Sequence, residues 1–353
     1  MKEKKVDRRS VLKAGVAAAA TAAAGFMVKP GKASAATKKY TWRMQTYLPT
    51  GTGMYRSIYL NFANRVTEAT GGEITIKALP PGSIVPDQDA LEAVGRGVFE
   101  IGLYWPAYWI GKMPVAGHLN GQLFTWDSFE EMWFFMTEMG ALDIIRQAYA
   151  EFGLMLLGPW AGGTVTLWSK KPIVKPADFQ GFKVRSTGIP AKVFEKIGAT
   201  PVFFPGSELY QALQTGVCDG AHWGGVAAAW EMKLQEVTTY IIKPDLAMQS
   251  LGDIFVNKKV YDGLPKDLQR ILLDCTVAVS ADASAWFSYN DAVDTELFIS
   301  KYKGKITTMD PETVSAMRVF SLEVIDEYSN KDPKYCGKIG ELMHKFLKMT
   351  GKI

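Results

Sequence analysis

The chain is poor in the residues that most often do chemistry. Its 353 residues include three cysteines and three histidines. Cys218, Cys275 and Cys336 are an odd number at wide spacing, which argues against a disulfide framework or a zinc ribbon. One disulfide stays open in an oxidising compartment, with no choice of pair, and for Cys218 a buried free thiol is expected. His118, His222 and His344 stand apart, so no His-Glu-x-x-His or Cys/His cluster is there to hold a metal. No Gly-x-Ser-x-Gly elbow, P-loop or full dinucleotide fingerprint occurs. Ser300-Lys301-Tyr302-Lys303 meets a Ser-x-x-Lys pattern by composition only. Repeats and low-complexity tracts are missing, and beyond the first residues no apolar run is long enough to cross a bilayer. These absences leave little support for an enzyme.

A strong charge of either sign is also lacking once the leader is set aside. Lys2, Lys4, Lys5, Arg8 and Arg9 make a basic start, followed by a weakly apolar, Ala-rich stretch from Ala14 to Val28 and the small-residue cleavage site Ala33-Ser34-Ala35. Asp7-Arg8-Arg9-Ser10-Val11-Leu12-Lys13 matches the twin-arginine export pattern; an ordinary secretory signal would change the route and not the destination. The expectation is a cleaved leader over 1–35 and a mature chain in the periplasm. That leader holds eight of the 40 Lys/Arg and two of the 36 Asp/Glu, so the rest carries a formal charge of about −2. The basic pI belongs to the leader, and nucleic acid is not expected as a partner.

What is present is an alternation of short β-type runs and amphipathic helices, the pattern of an α/β fold. Strands are predicted at 40–47, 74–79, 99–105, 154–158, 165–169, 181–185, 201–204 and 217–223. Helices are predicted up to Thr70, after a cap at Asp89, across 129–152, over 190–197 and, capped by Ser207, over 208–215. Beyond Leu264-Pro265 the chain reads as mostly helical, with a long helix from about Lys266 to Lys301.

Three stretches carry a resemblance. The first is Phe62-Ala63-Asn64-Arg65-Val66 with Gly71-Gly72-Glu73-Ile74, Pro80-Pro81-Gly82 and Ala90-Leu91-Glu92-Ala93-Val94. The second is Gly181-Phe182-Lys183-Val184-Arg185. The third is Gly198-Ala199-Thr200-Pro201-Val202 followed by Glu208-Leu209-Tyr210-Gln211-Ala212-Leu213-Gln214-Thr215-Gly216-Val217-Cys218-Asp219-Gly220-Ala221. In order and spacing the chain resembles the DctP-like solute-binding subunits of TRAP transporters, closest to the branch that handles 2-oxo monocarboxylic acids. The resemblance implies a two-lobed Venus flytrap: lobe 1 over 36–158 with part of 245–290, and lobe 2 over 159–244 with part of 290–353. It further implies a small carboxylate ligand, delivery to membrane permease subunits, and pairing of two copies through the long C-terminal helix. The rival readings are an exported enzyme acting on an organic acid, and a ligand sensor coupled to a receptor.

Arg185 is the leading candidate for ligand contact. It ends a predicted strand beside a turn, where open α/β sheets place ligands, and its planar fork suits a carboxylate. Trp223 comes second: on an alternating strand it shares a face with Val217, Asp219 and Ala221, and the resemblance gives it ligand contact. Trp160, Trp105, Trp109 and Tyr47 fall at or past strand ends and could wall an apolar pocket, although packing explains each as well. His222 stands where the resembled branch has a carboxylate that helps to hold a cation, and Trp160-Ala161-Gly162-Gly163-Thr164 replaces its amide side chains. Hard cations need oxygen ligands, so no bound Na⁺ or Ca²⁺ and no cofactor is expected. His222 could instead donate to the solute or be structural, and the added Trp suggests an acid bulkier or more apolar than pyruvate. Pro49-Thr50-Gly51-Thr52-Gly53 reads as a tight turn at the margin of the site.

Overall fold

The computed structural model describes residues 38–353 apart from Asn120, Gly121, Pro205 and the side chain of Ser207. The leader over 1–35 and the Ser207 cap therefore lie outside the described residues. Eleven strands are described: β1 Tyr40–Thr46, β2 Ile74–Leu79, β3 Ile101–Tyr104, β4 Leu154–Ala161, β5 Val165–Ser169, β6 Lys183–Arg185, β7 Thr200–Val202, β8 Gly220–Gly224, β9 Tyr240–Ala247, β10 Leu251–Asn257 and β11 Lys305–Thr308. They form two sheets, ordered β2-β1-β3-β10-β4 and β11-β9-β5-β8-β6-β7.

Each sheet is mixed. In the first, β1 runs parallel to β2 and β3, while β10 is antiparallel to β3 and β4. In the second, β6 runs parallel to β7 and β8, and β5 is antiparallel to β8 and β9. Alternation explains β1, where Trp42 and Met44 are buried and Thr41 and Arg43 exposed. Gly71 and Gly72, both at positive φ, end the helix Asn61–Ala69 as glycines can at little cost. Asp89 stands at a helix start but its side chain caps nothing, a correction to the expected N-cap.

Three other expectations change. β4 continues past Gly158 to Ala161, because β10 pairs along its whole length and a register shift between Ile254 and Phe255 absorbs the irregularity. β8 starts at Gly220, since Val217 to Asp219 make the turn after the helix Leu209–Thr215. All three cysteines are buried free thiols, so the open disulfide is not formed.

The chain crosses between the sheets at β4 to β5 and at β9 to β10, and the two crossings are tied side by side. Gly162 N–H donates to Ser250 O, and Ser250 N–H to Gly163 O, each at 2.7 Å. A Cβ on Gly163, whose φ is +74°, would lie 2.6 Å from Phe287, so this joint requires glycine. The helix Lys266–Ser300, about 52 Å long at 1.5 Å per residue, is a third link. Its stripe Leu268, Leu272, Cys275, Val279, Ala283 and Phe287 packs into the first sheet's core. Its end packs Phe298 edge-on to Trp168 of β5 at 5.5 Å. This helix is long and apolar enough to span a bilayer by composition, contrary to the expectation, but that apolar stripe is buried against the protein's own sheet.

Candidate functional site

The second sheet's parallel strands β6 and β8 both end toward the first sheet, and their last residues build the site. Arg185 closes β6, in register with Val202 of β7 and Ala221 of β8. Its side chain is only 9 % exposed. Nε and Nη2 each donate to Phe204 O at 3.4 Å, long contacts that satisfy a guanidinium poorly. The guanidinium carbon lies 4.9 Å from the Trp223 ring centroid and 5.9 Å from that of Phe203. Among the described residues no carboxylate pairs with it. Burial lowers its pKa, partly offset by Cys218 and Tyr108, yet arginine keeps its charge at any ordinary pH. The result is a desolvated cation held by aromatic faces, with its planar fork not neutralised.

Tyr108 comes from the opposite half, on the short turn Pro106–Trp109 after β3. Its hydroxyl pKa is pushed up to about 12, by burial first and by Asp87, while Arg185 pulls it down. Tyr108 meets Tyr47 edge-on at 5.7 Å, and Tyr47 stacks on Tyr104 at 6.3 Å. Tyr47 is half-buried, and burial drives its pKa well up, so both phenols stay neutral. Of this aromatic group, Tyr108 is the member that feels the Arg185 charge.

His222 lies on the face of β8 opposite Trp223. Its Nδ1 is 3.3 Å from Ser186 Oγ, and its ring is 6.3 Å from that of Phe194. Burial, and then the Arg185 charge, take its pKa down to about 3, so it is neutral wherever the protein works. Beside it is a small cavity of about 10 Å³, bordered by Gln122, Trp126 and Gln249 among others.

The remaining candidates are placed elsewhere. Trp160 is fully buried in the first sheet's core, against Gly252 and 6.0 Å from the Trp105 ring. Trp105 is half-buried against the same core. Trp109 Nε1 donates to Asp253 Oδ2 at 3.2 Å, and the Tyr149 hydroxyl donates to the same oxygen. The Gly51–Gly53 turn does offer an amide to an anion, but the anion is internal: Gly53 N–H donates to Glu231 Oε1 at 2.5 Å. Among the described residues, no group of three or more His, Cys, Asp or Glu could hold a metal. Sequence reasoning missed Tyr108, Phe203, Gln122, Trp126 and Gln249. Tyr108 sits within the segment that gave Trp105 and Trp109, and only the three-residue repeat of the turn decides which ring faces outward.

Two mixed sheets, tied by paired crossings and facing each other across a buried unneutralised cation, are the architecture of a two-lobed solute-binding protein. Residues 44–332 match the family described as bacterial extracellular solute-binding protein, family 7, and the chain belongs to it. It is a binding protein and not an enzyme, and its place is the periplasm. A monocarboxylate 2-oxoacid-binding periplasmic protein of Nostoc is 28 % identical over 336 residues, covering 94 % of this chain and 91 % of that one. An ectoine/5-hydroxyectoine-binding periplasmic protein of Ruegeria pomeroyi is 26 % identical, again covering 94 % and 91 %. The fold matches a TRAP periplasmic solute-binding protein of Colwellia psychrerythraea, solved with bound calcium and pyruvate. That match has a TM-score of 0.79 and 23 % identity, over 89 % of this chain and 96 % of that one.

Proposed function

We propose that this protein captures a small organic monocarboxylate, a 2-oxo acid or a relative of one, and hands it to the membrane subunits of a TRAP transporter. Arg185 grips the carboxylate, Trp223 and Phe203 flank it, and Tyr108 and Tyr47 close over it from the other half. The observation that carries this reading is the buried guanidinium beside which no described residue places an acid. A carboxylate making two parallel hydrogen bonds there supplies the missing charge in a dry setting, where such a bond is strong. The similarity to the Nostoc 2-oxoacid binder supports the solute class.

The lobes divide at Gly162–Gly163 and again at Gln249–Ser250, a few residues beyond the expected 158 and 245 because β4 and β9 run on to Ala161 and Ala247, and a twin-arginine leader directs export. Capture needs no cation, since the carboxylate expected before Trp223 is replaced by a histidine that stays neutral. Pairing of two copies through the long helix is supported by Tyr289, Val293 and Ile299, exposed along one segment of it.

Arg185→Ala is the decisive variant. An unpaired buried charge does not stabilise the empty protein, so the variant's own melting temperature should be unchanged or slightly raised. Its ligand-induced thermal shift with pyruvate, lactate and other monocarboxylates should vanish. A variant that melts lower yet still shifts with ligand would make Arg185 structural.

A further inference from the structure

Arg185 is not the one unpaired charge at the strand ends; the first sheet carries another, of opposite sign. Gln45, the last residue but one of β1, pins the loop after β2 across the ends of the strands. Its Nε2 donates to Val85 O at 2.8 Å and to the Tyr104 hydroxyl at 2.7 Å, and its Oε1 accepts from Ile84 N–H at 2.6 Å. Asp87 follows Val85 by two residues, and its turn, Asp87–Asp89, packs on the turn Pro106–Trp109 that carries Tyr108. The parallel strands β1 and β3 thus place Asp87, Tyr47 and Tyr108 beyond their carboxyl ends, as β6 places Arg185 at its own. Open α/β sheets bind their ligands at such ends.

Asp87 is half-buried, and its Oδ1 is buried without a hydrogen-bond partner. A buried acceptor left unpaired costs about 1–3 kcal/mol, and more when it is charged. Among the described residues no Lys, Arg or His pairs with Asp87, and burial raises its pKa with no partner to offset the shift. It begins the turn that leads into the helix Ala90–Gly95, yet that helix has no side-chain cap. The Tyr108 hydroxyl feels both charges, Asp87 raising its pKa and Arg185 lowering it. Anion and cation therefore act on one hydroxyl from different halves of the molecule, without forming an ion pair with each other.

A plain carboxylate would satisfy Arg185 and leave Asp87 as it is. A dicarboxylate would bring a second negative charge toward Asp87, which like charges disfavour. A protonated nitrogen supplies what Asp87 lacks, a positive charge and N–H donors together. We propose that Asp87 reads the second group of the solute, which is a short zwitterion with its carboxylate on Arg185 and a protonated nitrogen on Asp87. Asp87 is then a specificity-determining residue, and the two halves of the molecule each hold one charge of the same solute. This rests on the Arg185 reading and refines it.

Titration calorimetry on straight-chain acids of three to six carbons tests it. Each length is offered as the plain acid, the 2-amino acid, the ω-amino acid, the ω-hydroxy acid and the dicarboxylate. At one length, one of the amino acids should bind at least about tenfold more tightly than the plain, hydroxy and dicarboxylic acids. Asp87→Asn should narrow that preference to less than about threefold and tighten binding of the dicarboxylate at least about threefold. Opposite changes for two solutes do not come from a damaged fold. Asp87→Ser removes the same charge and should act alike, which covers an Asp87→Asn protein that fails to fold. No preference for an amine at any length, a preference that survives the variants, or equal loss of every form in them would overturn the proposal. Failure of the Arg185 reading looks different, because the acids would then bind Arg185→Ala as well as the unaltered protein.

Discussion

Arg185 is a cation kept out of water with no anion beside it among the described residues, and it has a counterpart in the other half: Asp253 is a carboxyl group buried with no cation among those residues to pair with it. Asp253 sits in β10, fully buried, with Oδ1 unpaired and Oδ2 accepting from Trp109 and Tyr149. Burial raises its pKa from 3.8 to about 7, against the lowering effect of those hydrogen bonds. The folded state therefore holds the proton more tightly than the unfolded chain does. The stability tied to that proton is complete below pH 3.8 and is lost as the pH rises to about 7. Asp253→Asn keeps an acceptor for both donors and removes the buried charge. It should raise the melting temperature at pH 8, by the equivalent of about 1–3 kcal/mol, and change little at pH 4. An Asn variant that is less stable at both pH values would show that the charge itself is structural. Sequence could reveal Arg185, because a strand end and a following turn are local features. Asp253 could not be flagged, since its burial depends on Tyr149 and Trp109, which are far away along the chain. Trp160 shows the reverse case: a strand-end position suggested the cleft, but the gap left by Gly252 admits its indole into the core.

At the scale of elements, three strands escaped sequence reading for identifiable reasons. β9 contains Pro244, which reads as punctuation. It is tolerated because the β11 ladder ends at Lys243 and the β5 ladder is interrupted between Ile242 and Ala247. β10 is buried at every position, so it shows no alternation, and Gly252 and Asp253 disguise it further. β11 is a short edge strand within an otherwise helical stretch. Elements with their own periodicity, such as the long helix, were plain. The joint between the sheets makes a prediction of its own. Gly163→Ala must place a methyl against Phe287 and adopt a positive φ, and should cost about 1–3 kcal/mol, seen as a melting temperature lower by several degrees. A neutral result would mean that the joint relaxes freely. The C-terminal end braces another element: Lys352 Nζ, buried, donates to Thr125 O at 2.9 Å and Glu131 Oε2 at 2.5 Å. Arg318 Nε donates to Phe124 O at 3.1 Å. Lys352→Met should loosen the stretch that carries Trp126, lowering the melting temperature by a few degrees; an unchanged melting temperature would show that the brace adds no stability.

Across the whole molecule, the fold class and two-lobed shape were legible because both halves carry the strand–helix alternation and its glycine punctuation. The chemistry of the cleft was half legible. The charged part lies on one strand end, whereas Tyr108 comes from the turn after β3 in the other half, which only the folded chain brings near Arg185. On the proposed reading the two halves, linked by three passages of chain, close on the solute, and an anion on Arg185 would favour closure by completing contacts from both sides. Small-angle scattering should accordingly show a smaller radius of gyration with saturating ligand than without, and no change for Arg185→Ala. Equal radii with and without ligand would mean that the empty protein is already shut.

The paired hydrogen bonds between Gly162–Gly163 and Ser250 bind the two outgoing strands into one narrow waist. In the proposed capture this waist is the axle on which the jaws would swing. A membrane partner that docks only with the turned form would then tell loaded from empty protein without ever touching the cargo.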